Sequence, residues 1–253
     1  MRIDLNCDLG ESFGAYKIGM DEEVIPHITS ANIACGFHAG DPEVMARTVR
    51  LCREYGVCAG AHPGYRDLQG FGRRQLQVAP ETVKCEILYQ VGALRAFCDS
   101  VGIPLTHVKP HGALYNQAAK SYELALAICE GIRAADPQLA IMAMSGSCMV
   151  KAAQDCGLPY ISEVFADRAY QADGTLVPRS REGAMITDED EAIRRVVRMA
   201  REGTVTAITG EEVSVQADSV CVHGDGAKAL AFVRKIRSAL EAEGIAVAAP
   251  CRV

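Results

Sequence analysis

Short apolar runs alternate with longer stretches of helical periodicity along almost the whole chain. Residues 3–7, 30–35, 57–61, 139–144, 160–164 and 219–222 each read as a buried strand, and residues 106–115 as a further strand with its exit. Between them the apolar positions fall at helical spacing. Met45, Thr48, Val49 and Cys52 mark one helix over 42–55, with Asp41 at its N-cap and Pro42 at its first position. Val83, Ile87, Val91, Leu94 and Cys98 mark a helix beginning near Pro80, and Leu124, Ile128 and Ile132 mark the next. Residues 148–156 read as helical, and Thr187-Asp-Glu-Asp190 as a capping box before a helix faced by Ile193, Val196, Val197 and Ala200. Leu230, Val233, Ile236 and Leu240 stripe the last helix. Residues 205–216 read as a small hairpin and 245–248 as one more extended piece.

Polar residues accumulate where the strands end: Asp8, His38, His62, Lys109 with His111, Asp167 with Arg168, and His223 with Asp225. Five of the six histidines belong to strands or their exits, and only His27 does not. A closed parallel barrel of (β/α) units brings all such exits to one rim, whereas an open doubly wound sheet splits them between a crevice and the flanks. The even spread therefore predicts a TIM-barrel-like α/β fold, an irregular seven-stranded barrel, forming a single domain over residues 1–253.

Within that frame several residues carry candidate chemistry. Asp4, Asn6 and Asp8 alternate, so they share one side of an extended segment. Inside a barrel they either bind something or satisfy neighbouring loop backbone. Lys109 and His111 are two apart and share a side if the strand persists through Pro110. A lysine directed into a dry pocket is a functional candidate. Arg73 and Arg74 suit a carboxylate or phosphate, or form a plain surface pair. Asp167 beside Arg168 is either part of a site or a self-satisfying ion pair. Residues 171–185, with Gly174, Pro178, Arg179, Arg181 and Gly183, are too long for an ordinary connection and read as a lid or binding loop.

Composition narrows the class. A chain of 253 residues with 49% hydrophobic and 23% charged content can bury a large core. A net charge of -6 and a pI near 5.6 give no electrostatic footprint for nucleic acid or anionic membrane, so a small molecule or a protein is the expected partner. The eleven cysteines are odd in number and include no Cys-x-x-Cys pair, which points to buried thiols in a reducing compartment. Cys35, two positions before Phe37-His38, remains open as a nucleophile. No apolar run approaches the ~18 residues of a membrane span, and the acidic N-terminal stretch is unlike a signal peptide, so a cytoplasmic protein is expected.

Taken together, the runs Asp4-Leu-Asn-Cys-Asp-Leu-Gly-Glu11, Ser30-Ala-Asn-Ile-Ala-Cys-Gly-Phe-His-Ala-Gly-Asp41, Gly60-Ala-His-Pro-Gly-Tyr65 with Gly70-Phe-Gly-Arg-Arg74, Lys109-Pro-His-Gly-Ala-Leu-Tyr-Asn116, Glu163-Val-Phe-Ala-Asp-Arg-Ala-Tyr170, Leu176-Val-Pro-Arg-Ser-Arg181 and Val222-His-Gly-Asp225 resemble the LamB/YcsF family. The resemblance spans nearly the whole chain, with Arg66 standing where Pro is expected. It implies a distorted barrel related to the glycoside hydrolase/deacetylase superfamily. It also implies the role of the A subunit in a bacterial 5-oxoprolinase, the ATP-dependent opening of 5-oxoproline to glutamate together with partner subunits B and C.

That chemistry needs an anion clamp, donors for an oxyanion or phosphate, and a base for water. Arg73, Arg74 and Lys109 are assigned to anion stabilisation, His38, His62 and Asp8 to water activation or a divalent metal, and His111 and Asp167 to proton transfer or orientation. Asn6, Tyr115, Arg168 and His223 are expected around the substrate. No Gly-x-x-x-x-Gly-Lys-[Ser/Thr] stretch is present, so ATP is expected to be held mainly by the partners or at a shared interface. Two rival classes stay open: a metal-dependent carbohydrate deacetylase using Asp8, His38 and His62, and a non-catalytic scaffold that completes a partner's site.

Overall fold

The computed structural model describes residues 1–222 and 227–250. His223 and Asp225, expected at a strand exit, lie outside the described residues. The strands are β1 (Arg2–Leu9), β2 (Ser30–Ala34), β3 (Cys58–His62), β4 (Leu105–Val108), β5 (Ala140–Met144), β6 (Tyr160–Phe165), β7 (Thr204–Thr206), β8 (Glu212–Ser214), β9 (Ser219–Val222) and β10 (Ala246–Val247). The helices are α1 (Asp21–Val24), α2 (Pro42–Tyr55), α3 (Pro80–Val101), α4 (Gly112–Ala118), α5 (Tyr122–Ala135), α6 (Cys148–Cys156), α7 (Glu189–Glu202) and α8 (Ala227–Ala242).

Seven strands close a parallel barrel in the order β1-β2-β3-β4-β5-β6-β9, because β1 pairs with both β2 and β9. β10 adds a parallel strand outside this ring, pairing Ala246 and Val247 with Arg2 and Ile3. The expected hairpin is present as antiparallel β7 and β8. Closure decides the interior. Along β1 the apolar Ile3, Leu5, Cys7 and Leu9 join the main hydrophobic cluster. The alternating Asp4, Asn6 and Asp8 instead hydrogen-bond across the barrel to residues of β2, β9 and the segment after β4.

Caps set the helix starts. Asp41 accepts hydrogen bonds from the amides of Glu43 (2.8 Å) and Val44 (2.9 Å), and Pro42 opens α2. For α7 the cap is Asp188, which accepts from Glu191 N at 2.9 Å, one residue later than the expected Thr187. The run 106–115 is also more segmented than expected. β4 ends at Val108, but pairing with the β3 side continues, Lys109 N donating to Ala61 O at 2.9 Å and His111 N to Pro63 O at 2.8 Å, before Gly112, with a φ of 52°, opens α4. Lys109 and His111 both border the same cleft. Among the described residues no helix is long and apolar enough to cross a membrane.

Candidate functional site

At the base of the barrel the polar groups satisfy one another. Asp4, wholly buried, accepts from Thr29 Oγ1 (2.6 Å), Ser30 Oγ (2.7 Å) and Ser219 Oγ. Burial pushes its carboxyl up to about 6, although these hydroxyls oppose the shift. Asn6 donates to Ser219 Oγ at 2.8 Å and accepts from Asn32 Nδ2 at 2.8 Å, and Asn32 accepts from His107 Nε2 at 2.8 Å. The His107 ring fills the space that Gly60 leaves open, where a Cβ would stand 2.1 Å from Nε2. Burial, then the charge of Lys109, holds this imidazole down to about 3, so it is neutral.

Lys109 sits above this layer and joins it to the rim. Its Nζ lies 2.7 Å from Glu163 Oε1 and 2.9 Å from Asp8 Oδ1, with Asn6 Oδ1 at 3.2 Å. Burial alone would lower its pKa, but Asp8, Cys221 and Glu163 outweigh that and hold the ammonium well above the usual lysine range. The other oxygen of Glu163 accepts from the Tyr115 hydroxyl at 2.7 Å. A fixed cation is thus placed between two carboxylates at the base of the open end.

Three histidines crowd beside it. His62 Nδ1 is 2.7 Å from the backbone oxygen of Lys109, and His111 Nε2 is 2.9 Å from that of Phe71. A carbonyl only accepts, so each of these nitrogens carries the hydrogen. The remaining pair, His62 Nε2 and His111 Nδ1, then face each other at 3.0 Å as two lone pairs when both rings are neutral. Phe71 holds its carbonyl in place from the left-handed region, at a φ of 53°. The His38 ring stacks on that of His111, with centroids 3.7 Å apart, and meets His62 edge-on. Gly72 admits this stack, since a Cβ there would lie 2.7 Å from the His38 Cβ.

Neither nitrogen of His38 makes a hydrogen bond among the described residues. Its Nε2 stands 3.4 Å from Glu11 Oε1, which is 3.6 Å from His111 Nδ1, while Asp8 Oδ2 is 3.4 Å from His62 Nε2. Burial, then the neighbouring imidazoles, pushes His38 well below the usual histidine range, and burial with His62 pushes His111 down to about 3. One donor atom from each of Glu11, His38, His62 and His111 falls within 4.8 Å of the other three, an arrangement able to hold a cation.

A cleft of about 1160 Å³ opens onto this rim, with Asp8, Glu11, His62, Lys109 and His111 at its base and Tyr115 and Phe165 on its wall. Three arginines, Arg73, Arg168 and Arg179, also line it. Arg168 is 5% exposed and donates to Val177 O at 2.7 Å, while its buried Nε has no hydrogen-bond partner among the described residues. Burial, then Arg179, lowers its pKa to about 10. Residues 175–179 of the long segment before α7 form part of the wall.

The expected residues are therefore distributed unevenly. Asp8, His38, His62, Lys109 and His111 converge, and Arg73, Tyr115 and Arg168 line the cleft above them. Asn6 lies beneath Lys109, fully buried, and has no face on the cleft. Arg74 turns away to pair with Asp67 and is not on the cleft wall. Asp167, partly buried at the end of β6, acts electrostatically on Arg168. Cys35 is buried and hydrogen-bonded to Ile33 O, with its thiol pushed up to about 12 by burial, so it offers no thiolate. Glu11, Glu163, Asn32 and His107 were not anticipated. A single charged residue inside Tyr160–Phe165 was the available signal for Glu163, and Glu11 closes the first of the runs that carry the family resemblance.

The LamB/YcsF family model matches residues 3–253. The chain is 59% identical to the 5-oxoprolinase A subunit of Clostridium beijerinckii over 97% of this chain and 96% of that one. It is 56% identical to the 5-oxoprolinase A subunit of Pyrococcus abyssi over 98% and 97%. Among solved structures, a lactam utilization protein from Thermus thermophilus superposes with a TM-score of 0.93 at 47% identity, covering 98% of this chain and 100% of the other. A putative cellobiose-phosphate cleavage protein of Enterococcus faecalis shares the fold alone, with a TM-score of 0.57 at 12% identity over 98% of this chain and 96% of that one.

Proposed function

The chain belongs to the LamB/YcsF family, and from that premise we propose that it is the A subunit of an ATP-dependent 5-oxoprolinase, opening the 5-oxoproline lactam to L-glutamate together with subunits B and C. One observation carries the reading. The cleft has a cationic wall, including the buried Arg168, whose Nε has no hydrogen-bond partner among the described residues, facing a base where Lys109, Asp8, His62 and His111 meet. 5-Oxoproline has the matching polarity, a carboxylate at one end and an unreactive lactam at the other.

The division of labour follows from the chemistry. Arg168 and Arg73 take the carboxylate or a phosphate, since guanidinium suits planar anions. Phosphorylation of the lactam oxygen by ATP makes C5 electrophilic. ADP leaves in that step. One water then adds at C5 and the ring C–N bond breaks as the nitrogen takes up a proton, giving the amine of γ-glutamyl phosphate, and a second water hydrolyses this acyl phosphate to glutamate and phosphate. Asp8, beside His62 on the cleft base, takes the proton from the attacking water, and Lys109 offers its fixed positive charge to the oxyanion. Asp167 orients Arg168 through its charge, and His38 buttresses the His111 ring. The cleft exceeds what a five-membered lactam fills, which leaves room for the phosphate or for a segment of a partner that brings the nucleotide.

A neutral sugar amide would leave the three arginines without a purpose, which weighs against the deacetylase alternative. Reconstitution with candidate subunits B and C, following ATP-dependent glutamate release while each component is omitted in turn, tests the proposal. Release that needs all three chains and collapses with Arg168→Ala supports it. Full release without this chain refutes it, and unchanged release with rim variants reduces the chain to a scaffold.

A further inference from the structure

We infer that Glu11, His38, His62 and His111 form a binding site for one divalent transition-metal ion of the zinc class, on the wall of the cleft. Two independent features of the rim lead there. The first is the pair of opposed lone pairs. His62 and His111 each spend their N–H on a backbone carbonyl, so the nitrogens they turn toward each other, 3.0 Å apart, have no hydrogen to share in the neutral state. Something positive must lie between or beside them for this arrangement to persist, since two buried acceptors in contact repel. The second is His38, 1% exposed, whose two nitrogens lack any hydrogen bond among the described residues although the carboxylate of Glu11 stands only 3.4 Å away.

A proton shared by the two rings is the competing answer. It satisfies His62 and His111 but leaves both nitrogens of His38 without a hydrogen bond among the described residues. A metal ion answers both features at once. Bonds of about 2.1 Å place neighbouring donors about 3.0 Å apart at right angles and about 3.4 Å apart at tetrahedral angles. Three of the six donor separations, 3.0 Å for His62–His111, 3.4 Å for His38–Glu11 and 3.6 Å for His111–Glu11, are of that size, and all six lie within 4.8 Å, so small side-chain shifts bring the set onto one ion. Three imidazoles with one carboxylate favour zinc, cobalt or nickel over magnesium or calcium, which take oxygen donors.

The surroundings support the ligands in the way metal-bound histidines require. The Lys109 and Phe71 carbonyls fix the tautomers of His62 and His111, leaving the ligating nitrogens bare. Glu11, His62 and His111 all border the cleft, so an ion there would keep a position open to what enters it. The chemistry it supplies when bound is the polarisation of a coordinated water or carbonyl oxygen. The inference concerns the same site as the lactam reading but does not require that reaction.

The test uses the full-length chain, stripped with chelator and titrated with Co²⁺. One equivalent should bind, with visible absorption bands of four- or five-coordinate cobalt that Zn²⁺ abolishes. His38→Ala and His111→Ala should each weaken binding more than about 100-fold. Circular dichroism of the stripped variants shows that the fold survives, and Glu11→Gln provides a milder substitution if it does not. Arg74→Ala should bind as the parent does. The inference is overturned if the folded chain retains no stoichiometric Co²⁺ or Zn²⁺, or if uptake is unchanged in the ligand variants. Imidazole ¹⁵N spectra showing a shared His62–His111 proton at neutral pH in the presence of excess metal also overturn it. Metal uptake is read without turnover, so its failure and failure of the lactam reading are separable.

Discussion

The two ends of the barrel interior are built from similar residue types and treat them in opposite ways. At the base, Asp4, Asn6, Asn32, His107 and Ser219 are as buried as any apolar residue, and each reaches a complementary partner. At the rim, His62 and His111 turn acceptors toward each other and His38 has no hydrogen-bond partner among the described residues. A satisfied polar layer fixes register and rigidity, whereas an unsatisfied one is retained only where something else completes it. Burial and polarity alone would rank the two ends equally. The pattern of donors and acceptors separates scaffold from site.

Lys109 spans both ends, so changing it gives the largest effects. Lys109→Met leaves Glu163 and Asp8 without their cation, and breaking a buried pair costs about 3–5 kcal/mol. Turnover in the reconstituted complex should fall more than about 100-fold. Denaturant unfolding with steady-state kinetics on the same preparation measures both. A second change separates the ends. Gly60→Ala pushes a methyl into the His107 ring, which is walled in by Asn32 and Thr106, and overpacking of this kind costs on the order of 3 kcal/mol. Activity per folded molecule should stay near that of the parent. His111→Gln reverses the pattern: it removes the opposed lone pairs, so stability in chelator should hold or rise while glutamate release falls about 100-fold or more. Loss of stability without loss of turnover would contradict the division.

Much of this was legible before any coordinates. Polar residues at strand exits pointed to a closed barrel, and closure is what brings Asp8, His38, His62 and Lys109 together. What escaped was whatever depends on side-chain direction. Alternation places Lys109 and His111 two apart, and pairing to the β3 side continues through both, yet it does not tell which partner each meets: Lys109 reaches Glu163 and His111 reaches His62. Arg73 and Arg74 look equivalent in sequence, yet only Arg73 borders the cleft, because Asp67 captures its neighbour. Gly72 makes room for the His38 and His111 rings, which no spacing in the sequence reveals. Nothing in the sequence shows that Gly60 leaves a ring-sized space opposite His107.

Acidity probes the base in a way the rim cannot imitate. Asp4 has its pKa raised from 3.8 to about 6 by burial, so its contribution to stability is full below pH 3.8 and is lost as pH rises through 6. His107 and His111 are held down to about 3 by burial, which has the opposite sign: their contribution is full above 6.5 and is lost as pH falls below it. The parent alone would therefore show a blunted profile. Asp4→Asn removes only the first effect. The stability difference between parent and variant should shift by about 2 kcal/mol between pH 4 and pH 7, the parent losing ground toward neutrality. Urea unfolding at the two pH values measures it, and a constant difference would mean that Asp4 carries no burial cost.

The smallest effect belongs to the arginine pair and tests whether proximity in sequence has any meaning at the site. Arg74 is largely exposed and directed to Asp67, whereas Arg168 is buried against the cleft with a donor to spare. Arg168→Lys keeps the charge but loses the planar fork, so the KM for 5-oxoproline should rise about tenfold or more with a smaller change in kcat. Arg74→Ala should move neither constant by more than about twofold. Should Arg74→Ala raise KM as much as Arg168→Lys does, the carboxylate would bind outside the cleft, and the cationic wall could no longer be what orients the lactam toward Lys109 and His62.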